Sequence, residues 1–324
     1  MKWDVLDLGP APTDTGERWN HDPRIGRVVR LARPAPSGRR FGSRALGLGL
    51  DAFRVALRAR FVARRPLIAM NPWTTVAARL VGFRDVSTVG LYAKEDSRSW
   101  KLLRAAIGNR PVVTLSKHEA ERWQTAGGRA AAVRYGSTFP ELNETVEPQA
   151  VGAATPTGVT VFIGGSSDRD PNAIETLVRE VRASHPAVRL VIATGDHEAS
   201  DDGQVVRLSS VTPARFSELI ADSDVVYLPL ADNGRAAGHM VLVEALQRGK
   251  PIVATWVAGM DEYFDDVNVI RAESDALPQL VSVGMSFRGR ATEVHQYWKA
   301  HHSKEAFGER ILDALDRLRA GGPR

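Results

Sequence analysis

The sequence predicts an α/β protein made of two domains, each a parallel sheet with helices packed on its faces. In both halves of the 324 residues, short β-branched apolar runs alternate with longer amphipathic patterns, as in strand–helix–strand units. Between the halves, Ser137–Thr157 is rich in proline, threonine, glutamate and small residues and lacks a sustained period. We therefore expect a first domain over 1–140, a linker over 141–157, a second domain over 158–291 and a helical tail over 292–324.

In the first half, the apolar runs predict six strands and the amphipathic patterns four helices. The strands are expected at Trp3–Leu8, Arg27–Ala32, Pro66–Met70, Val86–Tyr92, Pro111–Leu115 and Ala131–Tyr135, and the helices at Ala45–Arg65, Thr74–Val81, Trp100–Ile107 and Lys117–Thr125. One helix start is well marked, because Ser116 and Glu119 have the Ser-x-x-Glu spacing of a capping box.

In the second half, the run VTVFIGG predicts a strand that leads into a helix over Asp170–Val181. Asp170 is expected to cap that helix, with Pro171 at its first position. Thr212 and Pro213 have the same form at a later helix start. Further strands are expected at Val188–Ala193, Val205–Leu208, Val225–Leu230, Pro251–Val257 and Val267–Arg271.

The most informative stretch of the chain is Val225–Ile270. The apolar runs VVYLPL and PIVATWV lie on either side of a helical segment, as in a parallel βαβ unit, and Gly249 is placed as a helix-terminating glycine. Within the helix, Glu244 is surrounded by apolar residues, where burial is costly without a polar partner. Open α/β sheets bind ligands at the carboxyl ends of their strands, and a pair of sugar or ribose hydroxyls is a natural partner there.

A glycine loop, an apolar run, Glu-Ala and then GKPIVAT together resemble the nucleotide-sugar motif of GT-B glycosyltransferases. The similarity is greatest to the large, mainly retaining family 4 group. It implies two Rossmann-like α/β domains facing a cleft, with the tail crossing back onto the first domain. In that group two glutamates lie eight positions apart, and the second binds the ribose while the first contacts the donor sugar. Glu244 matches the second, but Ala236 stands at the position of the first.

The loop Gly164–Arg169 is the candidate diphosphate site. Gly164, Gly165 and Ser166 would let backbone N–H groups approach the phosphates, and Arg169 would pair with their oxygens. An ordinary strand-to-helix turn is the alternative. By the resemblance, Ser210 and Val211 hold the nucleobase through backbone groups.

The loop before the Glu244 helix offers two candidate catalytic residues. The helix start at Gly238 and Met240 would direct free N–H groups at the departing phosphate. His239 would assist by hydrogen bonding, and Asp232 would replace the missing glutamate. The simpler interpretation is that a lone histidine in a glycine loop has no role.

In the first half, polar residues follow two predicted strands. Asp96, after the run VSTVGLY, would act as a general base or orient the acceptor, unless it belongs to a helix cap at Asp96 or Ser97. Asn71-Pro72-Trp73, after PLIAM, is a candidate acceptor platform.

The first half is also strongly basic. Residues 1–150 hold 25 lysines and arginines against 14 acidic residues, an excess of +11, whereas the remainder has −6 within a total of +5. The excess indicates an anionic partner, or solvated faces of a basic protein. Phe53, Leu57 and Phe61 lie at four-residue spacing between arginines, including Arg58 and Arg64. We expect this stripe to pack on its own sheet, with contact to anionic lipid as the alternative.

Composition excludes several classes of protein. The chain has no cysteine, and therefore no disulfide, thiolate metal site or cysteine nucleophile. No apolar run approaches the ~20 residues of a membrane span, and the N-terminus lacks a signal segment. No Asp-x-Asp motif lies in a suitable loop, and Asp201-Asp202 and Asp265-Asp266 look like surface turns. We expect a cytoplasmic protein without a metal ion, with peripheral contact at the inner face of the membrane left open.

The sequence thus predicts a metal-independent hexosyltransferase, of the retaining type by its resemblance. It would use a UDP-, GDP- or dTDP-sugar as a substrate and no separate cofactor, and transfer the sugar to a small-molecule or lipid-linked acceptor. We expect no nucleic acid partner. Two alternatives stay open: a catalytically inactive nucleotide-sugar-binding or regulatory protein, and a nucleotide-sugar epimerase of the same fold.

Overall fold

The β-branched runs of the sequence form two parallel sheets in the structure, which is a computed structural model. It describes residues 2–8, 22–30, 41–91, 93–137, 158–195, 198–234 and 236–321, of which 41–48 only in their backbone. The chain divides into two compact units, one of Met1–Val133 with Phe307–Arg324 and the other of Arg134–Ala306. The linker predicted over 141–157 lies outside the described residues, and the predicted tail is shared between the units at Phe307.

The first unit contains a sheet of parallel strands in the order β2-β1-β3-β4-β5-β6. Its strands are β1 (Trp3–Asp7), β2 (Ile25–Arg30), β3 (Leu67–Ala69), β4 (Val86–Val89), β5 (Pro111–Thr114) and β6 (Arg129–Ala132). Its helices are α1 (Phe41–Val62), α2 (Pro72–Leu80), α3 (Arg98–Ile107), α4 (Lys117–Thr125) and α10 (Lys304–Ala320). The last helix is fixed by the ion pair of Asp313 with Arg24, at 2.6 Å, and by Arg319 lying over the ring of Trp3.

The second unit has a sheet in the order β13-β12-β11-β7-β8-β10-β9, parallel except for the short edge strand β9. Its strands are β7 (Val159–Gly164), β8 (Val188–Ala193), β9 (Ser200–Asp201), β10 (Val205–Arg207), β11 (Val225–Leu228), β12 (Ile252–Ala254) and β13 (Val269–Arg271). Its helices are α5 (Pro171–Ser184), α6 (Pro213–Ala221), α7 (His239–Gln247), α8 (Ala276–Ser286) and α9 (Ala291–His302), with a 3₁₀ turn at Ala258–Tyr263. The strand order reverses between β7 and β11, so this sheet has a topological switch point.

Local sequence signals determine where these helices begin and end. Ser116 accepts a hydrogen bond from the backbone N–H of Glu119, Asp170 caps α5 and Thr212 caps α6, as the sequence predicts. The helix α7 is followed, after its C-cap Arg248, by Gly249, whose φ of 71° is left-handed. The backbone N–H of Lys250 then reaches the carbonyl of Ala245, as in a Schellman motif.

The prediction for the stripe on α1 is wrong. Phe53, Leu57 and Phe61 do not pack on the sheet but are exposed by 43%, 44% and 80%. The helix instead packs through a face of smaller residues, namely Ala52, Val55, Ala56 and Ala59. Alanines allow a helix backbone to approach its neighbours closely, whereas a phenylalanine at these positions would hold it away.

Candidate functional site

The loops after β7 and β11 lie on either side of the switch point and are joined through their backbones. The N–H of Asp170 donates to the carbonyl of Pro229 at 2.9 Å, and the N–H of Ala231 donates to the carbonyl of Asp168 at 3.0 Å. The side-chain amide of Asn233 also donates to the carboxylate of Asp168 at 2.7 Å. Ligands of open α/β sheets bind at such a switch point, so these joined loops are the leading candidate site.

Two glycines let the β7 loop pack closely against its neighbours, and Gly165 lies against the start of α7. Gly165 has a φ of 88°, and a Cβ atom there would lie 2.7 Å from Nη2 of Arg169 and 3.1 Å from Cγ2 of Val241. A Cβ atom on Gly164 would lie 2.4 Å from the ring of Phe162 and 2.6 Å from that of Phe216. The left-handed φ of Gly165 and the two aromatic rings beside Gly164 both disfavour a side chain, so the loop depends on glycine at both positions.

Arg169 is folded back over this glycine loop. Its Nε donates to the carbonyl of Gly164 and its Nη1 to the carbonyl of Ser167, each at 2.8 Å. The residue keeps some exposed surface, but protein surrounds its guanidinium, and this desolvation lowers the pKa of Arg169 to about 10, partly offset by Asp168. The guanidinium is still charged at neutral pH, and an anion would compensate for its poor solvation.

The first turn of α7 lies against the same loop through Val241. No side chain caps this helix; its N-cap is Gly238, which has a left-handed φ of 75°. Met240, in the first turn, is 61% exposed. An uncapped helix N-terminus beside a buried cation makes the local potential positive, which is suited to phosphate.

Glu244 is buried, as its sequence context predicts. It is only 6% exposed and lies one helical turn beyond Met240 and Val241, on the face of α7 that contacts the glycine loop. Because side chains on a helix tilt toward its N-terminus, we expect this carboxylate to point along α7 toward the loop. Its assignment to a ribose stays a prediction.

His239 is the first residue of α7 and its side chain is buried, while its catalytic role stays a prediction. The residue is 7% exposed, and its Nε2–H donates to the carbonyl of Gly259 at 3.2 Å. Its ring lies 4.3 Å from that of Tyr263. Burial lowers the pKa of His239 to about 3, opposed by the bond to Gly259, so the ring is neutral at physiological pH. This geometry favours a packing role for the side chain.

Asp232 and Ala236 lie in the loop that precedes α7. Asp232 is exposed, and its Oδ1 accepts the backbone N–H of Gly234 at 2.9 Å in a local turn. Ala236 is partly exposed and has no polar side chain that could bind a sugar hydroxyl. The role of Asp232 as a substitute for the missing glutamate stays a prediction, and one of its oxygens already has a partner.

The two residues expected at the nucleobase follow β10. Ser210 is exposed, whereas Val211 is partly buried against the larger core of the second unit. The neighbouring Ser209 carbonyl would lie 3.8 Å from a Cβ atom on Gly195, which follows β8. The loops after β8 and β10 thus meet beside the β7 loop, and base binding by Ser210 and Val211 stays a prediction.

In the first unit, the strand-end residues named by the sequence cap helices. Asn71 accepts the backbone N–H of Trp73 at 2.9 Å and caps α2, and Ser97 accepts that of Trp100 at 3.1 Å and caps α3. Asp96, exposed and with a left-handed φ of 59°, forms the turn before this cap. Its role as a base or acceptor ligand stays a prediction.

One residue that the sequence did not suggest also belongs to this region. Trp256 follows β12, which pairs with β11 through Ala254 and Leu228, so it emerges next to the β11 loop. Its indole is 48% exposed and its Nε1–H donates to Asp261 at 2.9 Å. The apolar run PIVATWV had placed this tryptophan inside the strand. The only signal for it in the sequence was a large aromatic residue near the end of a predicted strand.

The acidic pairs set aside from the sequence do form turns. Asp201 accepts the N–H of Gly203, and Asp202 accepts those of Gln204 and Val205. Asp265 accepts three successive backbone N–H groups, from Val267 to Val269. Within the described ranges, no group of three or more histidine and acidic side chains has the arrangement of a metal site.

The part of the chain that contains these loops matches a known protein family. Residues 157–283, which include the whole candidate site, match the sequence model of the family "Glycosyl transferases group 1". No curated protein matches the chain.

Among solved structures, the chain is similar to sucrose-phosphate synthase from Thermosynechococcus elongatus, with 13% identity and a TM-score of 0.62 over 98% of this chain and 89% of that one. It is similar to HepE from Anabaena in complex with UDP-glucose, with 18% identity and a TM-score of 0.58 over 98% and 100%. WaaG, a glycosyltransferase involved in lipopolysaccharide biosynthesis, gives 12% identity and 0.58 over 99% and 100%. The predicted α/β fold with two Rossmann-like domains, of the GT-B type, is confirmed; assignment to family 4 stays a prediction.

Proposed function

We propose that this chain, whose fold is that of GT-B glycosyltransferases, transfers a sugar from a nucleoside-diphosphate sugar to a hydroxyl-bearing acceptor. The observation that supports this most is the contact of Gly165 with Arg169 and Val241. It brings a backbone loop, a cation and an uncapped helix start to one point at the carboxyl edge of the sheet. A diphosphate is the ligand that uses all three.

The donor is held by its nucleotide in this proposal. Glu244 binds the ribose hydroxyls, Ser210 and Val211 bind the base through their backbones, and Trp256 offers an apolar face to the sugar ring. A UDP-sugar is the first donor to test, because HepE was solved with UDP and with UDP-glucose.

The chain's residues act on the leaving group. The bond between the anomeric carbon and the diphosphate oxygen breaks, and its electron pair leaves on the diphosphate. The acceptor oxygen bonds to the anomeric carbon, and the proton of the acceptor hydroxyl passes to the departing diphosphate. Arg169 and the N-terminus of α7 stabilise the charge that develops on the diphosphate. Because this positive potential takes the place of a metal ion at the diphosphate, we expect the reaction to continue in the presence of EDTA. Retention at the anomeric carbon follows from the resemblance, and NMR of the product would test it.

A thermal-shift screen with UDP-, GDP- and dTDP-sugars tests donor binding. A ligand at 100 times its dissociation constant adds about 2.7 kcal/mol of stability. The variant Arg169→Lys should lose much of this shift, because lysine cannot form the two-pronged contact, while Arg179→Lys on the exposed face of α5 should keep it. No shift with any of the three donors would contradict the proposal.

A second candidate function is a catalytically inactive nucleotide-sugar-binding protein. It is favoured by Ala236 at the position of the sugar-binding glutamate and by the local bond of Asp232. The variant Asp232→Asn separates the two, because asparagine keeps the turn but removes the charge. If Asp232 contacts the sugar, turnover falls while free nucleoside diphosphate binds as before. If the variant has no effect and no acceptor is glycosylated, the inactive protein is supported.

A further inference from the structure

The described part of α1 has two opposite apolar faces. One is the buried face of small residues described above. The other is a row of large side chains that remain in solvent: Leu50 at 59%, Phe53 at 43%, Leu57 at 44% and Phe61 at 80% exposed. We call this row the α1 apolar face. Single exposed apolar residues are common in proteins, but a contiguous row of four on one helix indicates a contact surface.

The spacing makes this row continuous. At 3.6 residues per turn, residues three, seven and eleven positions after Leu50 fall within a stripe about 80° wide. The buried face of α1, centred on Ala59 and Val55, lies on the opposite side of the helix. The sheet and α2 therefore hold the helix in place while the α1 apolar face points away from the unit.

Arginines lie along both edges of this face. Arg54 and Arg58 follow one edge and Arg60 the other, and all three are exposed. Of the residues that the structure describes, none forms an ion pair with Arg58 or Arg60, and Asp51 approaches Arg54 only at 3.5 Å. Arg60 lies 5.9 Å from the ring of Phe83, which leaves its charge available to an anionic partner.

We propose that the α1 apolar face binds the surface of an anionic lipid bilayer, with the helix parallel to it. Leucine and phenylalanine side chains enter the acyl boundary while the flanking arginines meet lipid phosphates, which is the pattern of interfacial helices. Two copies of the chain are less suited to this face, because a two-fold pair would bring the arginine rows of both copies together. Within the described ranges, none of the helices combines the length and the apolar character of a transmembrane span.

Sedimentation of the full-length protein with vesicles tests this proposal. The wild type should bind vesicles that contain phosphatidylglycerol and should bind pure phosphatidylcholine vesicles much more weakly. The double variant Phe53→Gln with Phe61→Gln should lower the partition coefficient about tenfold or more, because two large apolar side chains no longer enter the lipid. The matched control is Leu102→Gln with Met285→Gln, which removes two exposed apolar side chains elsewhere and should bind as the wild type.

A variant that lacks two of the flanking arginines tests the contribution of positive charge to lipid binding. Arg54→Gln with Arg58→Gln should weaken binding about 30-fold at low ionic strength, and added salt should reduce the difference. Arg179→Gln with Arg189→Gln, two exposed arginines of the second unit, is the control. Circular dichroism and thermal melting of each variant confirm that it is folded.

The proposal does not depend on the transferase function, because vesicle binding needs no donor. Failure of the wild type to bind anionic vesicles would overturn it, as would equal binding by the Phe53/Phe61 variant and its control. A wild type that is dimeric by analytical ultracentrifugation, made monomeric by the Phe53/Phe61 change and without affinity for vesicles, would assign the face to a second copy instead.

Discussion

The helix starts at the carboxyl ends of the two sheets differ at α7. In the first unit, Asn71, Ser97 and Ser116 follow β3, β4 and β5, and each side chain accepts a backbone N–H at the start of a helix. In the second unit, Asp170 and Thr212 cap α5 and α6 in the same way, but α7 starts at Gly238 with no capping side chain. The first arrangement satisfies the helix start from within the protein, whereas the second leaves it for a ligand.

This difference explains why similar sequence patterns lead to different roles. A polar residue directly after a strand predicts either a cap or a ligand contact, and the side chain's partner decides between them. The first-unit residues have local partners, so they contribute to folding. The second-unit loop has the contact of Gly165 with α7 and the desolvated cation of Arg169, and neither feature is needed for a simple turn.

The largest expected effect on donor affinity comes from adding a side chain to the glycine loop. In Gly165→Ala the new methyl group must displace Arg169 and press on Val241, so donor affinity should fall by about 3 kcal/mol or more, as measured by calorimetry. Gly203→Ala is the matched control, because its φ of 85° is nearly the same but no atom lies within 4 Å of the added Cβ. Both variants carry the same backbone strain, and equal donor affinity in the two would mean that the loop does not bind the donor.

The next effect comes from the buried carboxylate of α7. Glu244→Gln keeps the shape of the side chain and removes its charge, so donor affinity should fall by about 1.5–3 kcal/mol while the protein stays folded. Glu119→Gln, which changes a buried glutamate of the first unit, should leave donor affinity unchanged. If both variants bind the donor as the wild type does, Glu244 is structural and the ribose assignment is wrong.

The pH dependence of stability tests whether His239 of α7 is packed as a neutral ring. The pKa of His239 is lowered to about 3 from 6.5, so its contribution to stability is complete above pH 6.5 and is lost as the pH falls toward 3. At pH 5 this loss is about 2 kcal/mol. Denaturant unfolding of His239→Phe should therefore depend less on pH between 6.5 and 4 than that of the wild type or the control His118→Phe. An unchanged pH dependence would show that His239 is not buried as a neutral ring.

The smallest effect is expected in the first unit. Asn71→Ala and Ser97→Ala each remove a helix cap and should lower the free energy of unfolding by about 1 kcal/mol. Donor affinity should stay unchanged in both, because these residues belong to the folding group of the comparison. A weaker donor affinity in either variant would show that these residues of the first unit also contribute to donor binding.

Much of this architecture could be predicted because it depends on local patterns. The helix α4 and the strand β8 have the predicted bounds, and the caps at Ser116, Asp170 and Thr212 are confirmed because they depend on spacing alone. The burial of Glu244 followed from its apolar neighbours.

The features that could not be predicted from the sequence depend on tertiary packing. The four-residue spacing of Phe53, Leu57 and Phe61 marks one face of a helix but does not tell which face meets the sheet, and here alanines do. The roles of His239 and Asp232 stay predictions, because their hydrogen bonds to Gly259 and Gly234 arise only after folding and could not be foreseen from their position in the loop. Trp256 was missed because an aromatic at a strand end looks like a core residue until its exposure is known.

Hydrogen–deuterium exchange with and without a saturating UDP-sugar is the most direct test of a donor site formed by backbone groups. The account predicts slower exchange for the backbone amides of Gly165–Arg169 and Gly238–Val241, with the amides after the Asn71 cap unaffected. Exchange that stays unchanged in both second-unit segments with UDP-, GDP- and dTDP-sugars, or that slows only around Asn71, would contradict it.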